Sequence, residues 1–222
     1  MNKTINLPNI LPVFPLSNFI FFPKTTVPLN IFEKRYLEMI NDSMSGNRII
    51  GMIQPKEKNK EKPTLYQIGC AGKITSFNET EDGRYLIALS GISRFKILDE
   101  IKSDDLYRKC KVDFSDFTED FNKSKEKVNF SDLRLIFQNL KSLFDKEGYL
   151  INWKELEKED LNETLNALAM ASPFSLEEKQ ILLEAKNIGE RRKKLEEILK
   201  KFEENGYTTK KIDEENILAT KS

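Results

Sequence analysis

The chain has 222 residues, enough for one large domain or two small ones, with 36 Lys and Arg against 36 Asp and Glu and no histidine. Zero net charge argues against a nucleic-acid-binding protein, which needs a basic surplus to displace counterions. The missing histidine removes Ser-His-Asp triads, Cys-His dyads, His-ligated metals and His pH switches together. Fifteen Phe supply a core, since each fully buried Phe contributes roughly 1.5–3 kcal/mol. The opening MNKTINLPNI lacks the apolar stretch of a secretory signal, and Phe19 to Phe22 is too short to span a bilayer. A cytoplasmic protein is expected, with Cys70 and Cys110 as reduced thiols.

Residues 12 to 16 suit a short edge strand, because proline cannot donate to a central ladder. Thr26 to Leu29 suits another. Asn30 reads as a helix N-cap with Glu33 completing a capping box, followed by Tyr36, Leu37, Ile40 and Met44 on one face and Gly46 as a stop. Ile49 to Ile53 reads as a buried strand, and the charged residues 55 to 63 as a solvated loop. Tyr66 to Phe77 and Arg84 to Leu89 form two strands joined through Glu81-Asp82-Gly83, a tight hairpin signal. Arg94 to Ile97 alternates like a half-buried strand, and Tyr107 to Phe114 is one more. Short strands at this spacing predict a sandwich or a small closed barrel.

The pattern changes after about residue 120, where FTEDFNKSKEK reads as a polar linker. Leu133, Ile136, Phe137, Leu140, Leu143 and Phe144 form a helical stripe that Gly148 ends. Asn152 with Glu155, Ser175 with Glu178, and Asn187 with Glu190 repeat the capping-box spacing. Leu161, Leu165 and Leu168 share one face. Leu195, Ile198, Leu199 and Phe202 close the last helix before Gly206. The expected organisation is α+β, with a β-rich unit over 8–118 containing one helix, a helical bundle over 128–206 and a disordered tail over 207–222.

The chemistry on offer is sparse. Gly69-Cys70-Ala71-Gly72-Lys73-Ile74 has the wrong spacing for a Walker A loop, and Ile74 cannot ligate magnesium, so the glycines read as bends in a curved strand. Cys70 reads as a buried, inert thiol. Ser90, Ser93 and Lys96 lie close in sequence, but nothing there activates the lysine as a catalytic dyad would need. The Glu/Lys runs of 190 to 204 read as a solvated helix face. No enzyme, cofactor or metal is expected. The apolar run Phe19, Ile20, Phe21 and Phe22 enters a two-sided core or leaves an exposed patch, and exposed patches are interaction sites. Core is the favoured reading, and this run is also the one candidate binding surface.

Several ordered markers give the chain a family likeness. They include Phe14-Pro15-Leu16, Phe22-Pro23, Pro28 to Glu33, Arg35-Tyr36, Ile50-Gly51-Met52, Ile68 to Gly72, Gly83-Arg84-Tyr85 and Gly91 with Arg94-Phe95. Asn166 to Met170 and Ser172-Pro173-Phe174-Ser175 with Glu178-Lys179-Gln180 continue them. In these the chain, from Leu11 to about Leu199, resembles the substrate-binding N-terminal domain of the Lon proteases in its short, stand-alone bacterial form. Lys24 departs from the glycine usual after the Phe-Pro pair. The resemblance implies a PUA-like β-barrel followed by helices, without the ATPase and protease domains. It further implies a non-catalytic module binding unfolded or apolar protein and peptide segments, with an adaptor or assembly role in proteolysis and self-association. The alternative is a PUA-like nucleic-acid-binding domain, which the neutral charge disfavours. No membrane partner is implied.

Overall fold

The computed structural model describes residues 7–57, 62–121, 134–149, 151–156 and 160–204. These fall into two compact units that divide between residues 124 and 125. The expected tail over 207–222 lies outside the described residues, as does most of the expected linker.

The first unit holds six strands and one helix: β1 (Ile10–Pro15), β2 (Thr26–Ile31), α1 (Lys34–Ser45), β3 (Ile49–Ile53), β4 (Ile68–Glu79), β5 (Tyr85–Ile101) and β6 (Arg108–Asp113). Their order is β2-β5-β4-β3-β1-β6, and β5 also pairs with β6. The pairings therefore close a ring of β5, β4, β3, β1 and β6, while β2 hangs on the first half of β5. One strand serves both purposes because it is 17 residues long. Residues 85–90 of β5 pair with β2, and residues 96–101 pair with β6. The strands expected over Arg84 to Leu89 and Arg94 to Ile97 are thus one continuous strand that starts at Tyr85 and runs through Gly91.

Glycines let the ring close around its contents. Phe95 is buried inside it, packed with Leu11, Val13, Ile49, Ile53, Ala71, Cys110 and Val112. A Cβ on Gly51 would lie 2.9 Å from the Phe95 ring, and one on Gly69 would lie 2.7 Å from it and 2.5 Å from the Met52 carbonyl oxygen. The ladder between β4 and β5 shifts register between Ala71 and Gly72, a bulge that bends the strand. The Gly69 to Lys73 segment is therefore a curved strand over an aromatic core.

β1 differs from expectation, being flanked by β3 and β6 and not lying at an edge. Its prolines are tolerated because the partners hand over along the strand. Ile10 to Val13 pair with β6, and Val13 to Pro15 pair with β3. Each proline thus sits where one side of β1 makes no ladder. The open edge of the sheet is β2. The Gly91 N–H donates to the Thr25 carbonyl at 2.8 Å, so odd-numbered residues here face β5. Pro28, being even-numbered, turns its nitrogen to the open side, which blunts that edge against strand addition.

Asn30 does not cap α1. It stays in β2 opposite Leu86, and the helix begins after Glu33, which makes no side-chain cap bond. The ladder to β5 outcompetes the local cap. Gly46 does end the helix, with its N–H on the Ser43 carbonyl at 3.1 Å, while Arg48 takes the positive φ of 62°. The expected hairpin between β4 and β5 forms, with Gly83 at φ 78°.

After β6 a short 3-10 segment, Ser115–Asp120, folds back on the barrel. Part of the expected polar linker is therefore structured. Its Asp120 grips Arg94 of β5, accepting from Nε at 2.9 Å, from Nη2 at 2.8 Å and from the Arg94 N–H at 2.8 Å. The guanidinium also lies 4.3 Å from the centroid of the buried Phe117 ring. Arg94 is 2% exposed, so the half-buried alternation expected at this position fails. A charge is affordable there because the carboxylate is bidentate and the ring covers the rest.

The second unit contains α2 (Arg134–Lys146), α3 (Trp153–Leu156), α4 (Leu161–Ala171), α5 (Leu176–Glu184) and α6 (Ile188–Glu204). α6 packs on α2 and α5, and α5 on α4. Buried Ile136, Phe137, Leu140, Leu143 and Phe144 form the α2 stripe, and Leu195, Ile198 and Leu199 answer from α6. Gly148 at φ 77° ends α2, with the Tyr149 N–H reaching back to the Phe144 carbonyl at 2.9 Å. Ser175 and Glu178 form the reciprocal capping box. Asn187 caps α6 by accepting from the Glu190 N–H at 2.8 Å, while Glu190 reaches one residue further back, to the Lys186 N–H. The Glu155 side chain lies outside the described residues. Ion pairs Glu190–Lys194, Arg192–Glu196 and Lys200–Glu204 line α6 as expected. Arg191 is the exception on that helix. It is buried, donating to the Leu182 carbonyl at 3.0 Å and to Asn166 Oδ1 at 2.6 Å, which ties three helices together.

Lys24, where glycine was the family expectation, holds φ at 60°. A left-handed conformation costs a side-chain-bearing residue about 1–2 kcal/mol, partly offset by the extra unfolded-chain entropy of glycine. Lys24→Gly should raise unfolding stability by about 0.5–1 kcal/mol. Gly69→Ala, whose new methyl meets a backbone carbonyl, should lower it by about 3 kcal/mol. Urea titration of both variants checks the opposite signs.

Candidate functional site

The expected surface run is mostly interior. Ile20, Phe21 and Phe22 are buried, and Phe19 alone is half-buried. Phe21 packs where a Cβ on Gly72 would come within 2.8 Å of its ring. The Phe22 backbone passes over Gly91, where a Cβ would sit 2.4 Å from the Phe22 carbonyl oxygen. That same carbonyl accepts from the Thr25 hydroxyl at 2.7 Å. These three side chains fill the space between the 16–25 loop and the sheet, so they offer no surface in the folded unit.

A different apolar feature is exposed. Beyond the ring, β4 and β5 continue as an arm with β2 along one side, and Thr75 to Glu79 are exposed on both faces. Phe77 and Tyr85 share one face, as diagonal neighbours in the register, with ring centroids 4.9 Å apart at 62°. Leu86 faces the other way, between Asn30 and Asn78. Phe32 follows the end of β2, with the Arg84 guanidinium 5.9 Å from its ring centroid. Phe32 is 63%, Leu86 43% and Phe77 37% exposed. Arg84 also pairs with Asp82 at 2.9 Å, so the tip joins apolar surface to a fixed cation. Hydrogen bonds from Thr80 and Arg84 hold the Asp82 carboxyl below its ordinary range, led by the Thr80 hydroxyl.

The sequence carried a signal for this arm that strand assignment alone passes over. Tyr85 to Leu89 is five apolar residues in a row beside a polar hairpin turn. Such a run needs cover on both faces, and at Leu86 the cover on one face is missing.

The nucleophile candidates are not brought together. Ser93 is buried and donates to the Arg94 carbonyl at 3.0 Å. Ser90 shares hydrogen bonds with Thr26 and Thr75 at 2.9 and 3.2 Å. Cys70 and Cys110 are buried free thiols, and burial pushes the Cys110 thiol up to about 11. The carboxylates of Glu38, Asp42 and Asp105 lie within 4.8 Å of one another. Each already accepts a protein donor: Asp105 from Lys109 at 2.7 Å, Asp42 from the Tyr107 hydroxyl at 2.7 Å and Glu38 from the Leu106 N–H at 3.3 Å. Burial and then the Asp42 bond raise the Tyr107 hydroxyl to about 12. The cluster is a hydrogen-bonded brace between α1 and the start of β6. A groove of about 400 Å³ lies under residues 62–67 beside β5 and β6. Arg108 occupies its polar side, donating to Glu100 at 2.9 and 2.6 Å and to the Pro63 carbonyl at 2.8 Å. Those bonds hold the Glu100 carboxyl below its ordinary value.

Residues 10–201 match the ATP-dependent protease La (LON) substrate-binding domain. The chain belongs to this family. It is 28% identical to the Lon protease of Desulfosudis oleivorans over 197 residues, covering 86% of this chain and 24% of that protein. The match to the Lon protease of Malacoplasma penetrans is 32% identical over 206 residues, covering 87% of this chain and 26% of that one. The chain thus spans about a quarter of the length of these relatives. In structure it is similar to a Lon N-terminal domain protein from Xanthomonas campestris, with a TM-score of 0.61 and 21% identity over 86% of this chain and 97% of that one. The N-terminal domain of a Mycobacterium avium complex Lon protease gives 0.57 and 15%, over 86% and 98%. The α+β fold expected from the sequence is the fold of these domains. Among the described residues no helix is long and apolar enough to cross a membrane.

Core and surface roles in the 19–22 run separate by mutation. Phe21→Ala and Phe22→Ala should each cost about 3–5 kcal/mol of stability, and Phe19→Ala clearly less. Thermal unfolding of the three single variants, with their native circular dichroism as a control, reads the difference.

Proposed function

We propose that this chain is a non-catalytic binding module that captures apolar, non-native polypeptide segments for proteolysis, and that the tip of the β4–β5 arm is its contact surface. The observation that carries this is the exposure of Phe77 and Leu86 on the two faces of the arm and of Phe32 just past the neighbouring end of β2. Exposed apolar groups gathered in one region mark interaction sites, and aromatic groups are prominent among the residues that dominate binding energy. Membership of a substrate-binding family supports the class of ligand. The two-sided arm supports a ligand without fixed sequence, since apolar groups face both ways and Arg84 adds a cation to the Phe32 ring. The ligand is held by side chains, because Pro28 spoils the open β2 edge for strand pairing.

An adaptor or assembly role follows from the same surface. A module that holds a segment and carries no reacting groups delivers what it holds to an ATPase or protease on another chain or domain. A cytoplasmic setting suits the two free thiols. Two copies meeting through their arms would self-associate by the same contacts, in competition with ligand.

The test is binding of a fluorescent, permanently unfolded polypeptide. Phe32→Ser and Phe77→Ser should each weaken it by about 2 kcal/mol, close to thirtyfold, with the native circular dichroism kept. Sedimentation velocity on the same samples reports self-association. Wild-type affinity in the double variant, with the fold intact, rejects the arm as the site.

A further inference from the structure

The turn between β4 and β5 carries a reactive pair of residues. Asp82 is followed by Gly83, and both are exposed. Aspartate before glycine is the pairing most open to attack of the following backbone nitrogen on the side-chain carboxyl, because glycine has no side chain to shield that nitrogen. Apart from the chain neighbours, nothing lies within 4 Å of where a Gly83 Cβ would be, so the fold does not block the approach sterically. Hydrogen bonds restrain it instead. Asp82 Oδ1 accepts from the Thr80 hydroxyl, and Oδ2 from Arg84 Nε at 2.9 Å. The Thr80 hydroxyl oxygen in turn accepts from the Arg84 N–H at 3.2 Å and lies 3.0 Å from the Arg84 carbonyl oxygen. The Gly83 N–H donates to the Thr80 carbonyl at 2.9 Å. Both reacting groups are therefore held, the carboxylate by two side chains and the nitrogen by the turn.

We infer that Asp82 is a site of backbone isomerisation, and that the clasp formed by Thr80 and Arg84 sets its rate. The reaction needs only water. The Gly83 nitrogen gives up its proton to solvent and attacks Asp82 Cγ. The bond from Cγ to the hydroxyl of the protonated carboxyl breaks, water leaves, and a five-membered succinimide forms. Water then adds to either carbonyl. Opening at the former side-chain carbonyl regenerates aspartate. Opening at the backbone carbonyl gives isoaspartate, of unchanged mass, with one more carbon in the main chain between Phe77 and Tyr85. The clasp opposes the first step twice. A carboxylate that accepts two hydrogen bonds stays ionised, and the ionised form is a poor electrophile. The nitrogen must also leave the Thr80 carbonyl before it can turn toward Cγ. This chemistry is independent of what the arm contacts.

The experiment incubates the whole protein at neutral pH, below its unfolding transition, beside a synthetic peptide of residues 78–86. Isoaspartate at position 82 is read from its backbone fragment ions by mass spectrometry. The peptide should isomerise at least about tenfold faster than the protein. Thr80→Val, which loses the hydroxyl and keeps the branched side chain, should raise the rate in the protein about tenfold, as expected for one lost charge-assisted hydrogen bond. Thr80→Ser should keep the wild-type rate, and Arg84→Gln should raise it with Thr80 in place. Native circular dichroism of each variant is the control. A wild-type rate equal to that of the peptide overturns the assignment. So does a Thr80→Val rate within about twofold of wild type. A Thr80→Ser rate as high as that of Thr80→Val also overturns it, because the hydroxyl then does not set the rate.

Discussion

The first unit depends on one steric constraint: the Phe95 ring and two strands that carry glycine must share the same space. Phe95 sits where side chains on Gly51 and Gly69 would be. Only with both glycines can β3 and β4 approach closely enough for β5 to pair with β4 along one stretch and with β6 along another. The ring therefore follows from three residues on three strands. Burial of the aromatic ring repays the conformational freedom that glycine surrenders on folding. Gly72 and Gly91 extend the arrangement outward, receiving Phe21 and the Phe22 backbone. The apolar 19–22 run is thus the outer layer of the same packing.

Each unit also buries one arginine, and the two are held differently. Arg94 has a carboxylate in bidentate geometry and an aromatic ring over its face. Arg191 donates to a carbonyl and to an amide oxygen on two different helices. The first arrangement sets charge against charge and fastens a short segment to the barrel. The second spends a cation on orientation, because Nε and Nη1 fix the distance from α6 to both α5 and α4. Removing either acceptor leaves a desolvated cation, a more expensive state than never having buried one.

What the sequence discloses follows from the range of each interaction. Ser175 with Glu178, Asp82 with Gly83 and Gly148 are local devices, complete within a few residues, and the structure realises them where they are written. The α+β division is legible for the same reason, since periodicity is a local property. Asn30 fails as a cap because a long-range ladder to β5 claims it. Arg94 misleads because its acid stands 26 positions later in what reads as a linker. β1 misleads because proline reports only that one side of a strand is unpaired at that residue. Phe19 to Phe22 could be narrowed to core or surface, but deciding required knowing that Gly72 and Gly91 lie opposite.

The arm shows why exposed apolar residues are less legible in a sequence than core ones. β5 is longer than the ring requires, and its first residues, with the end of β4, project past the closed part of the sheet. One face of this ribbon is covered at Ile31 and Ile87, while the face that carries Leu86 is open. In a covered strand the run Tyr85 to Leu89 is unremarked core. In the arm Leu86 becomes surface and Tyr85 is half-buried, while Ile87 and Leu89 stay buried. Hydropathy records the same five residues either way. The difference lies in where the ring closes, which is set by the β5–β6 pairing more than ten residues downstream. The constraint that packs Phe95 therefore also determines which apolar side chains stay exposed, so core and apolar surface are two consequences of one strand's length.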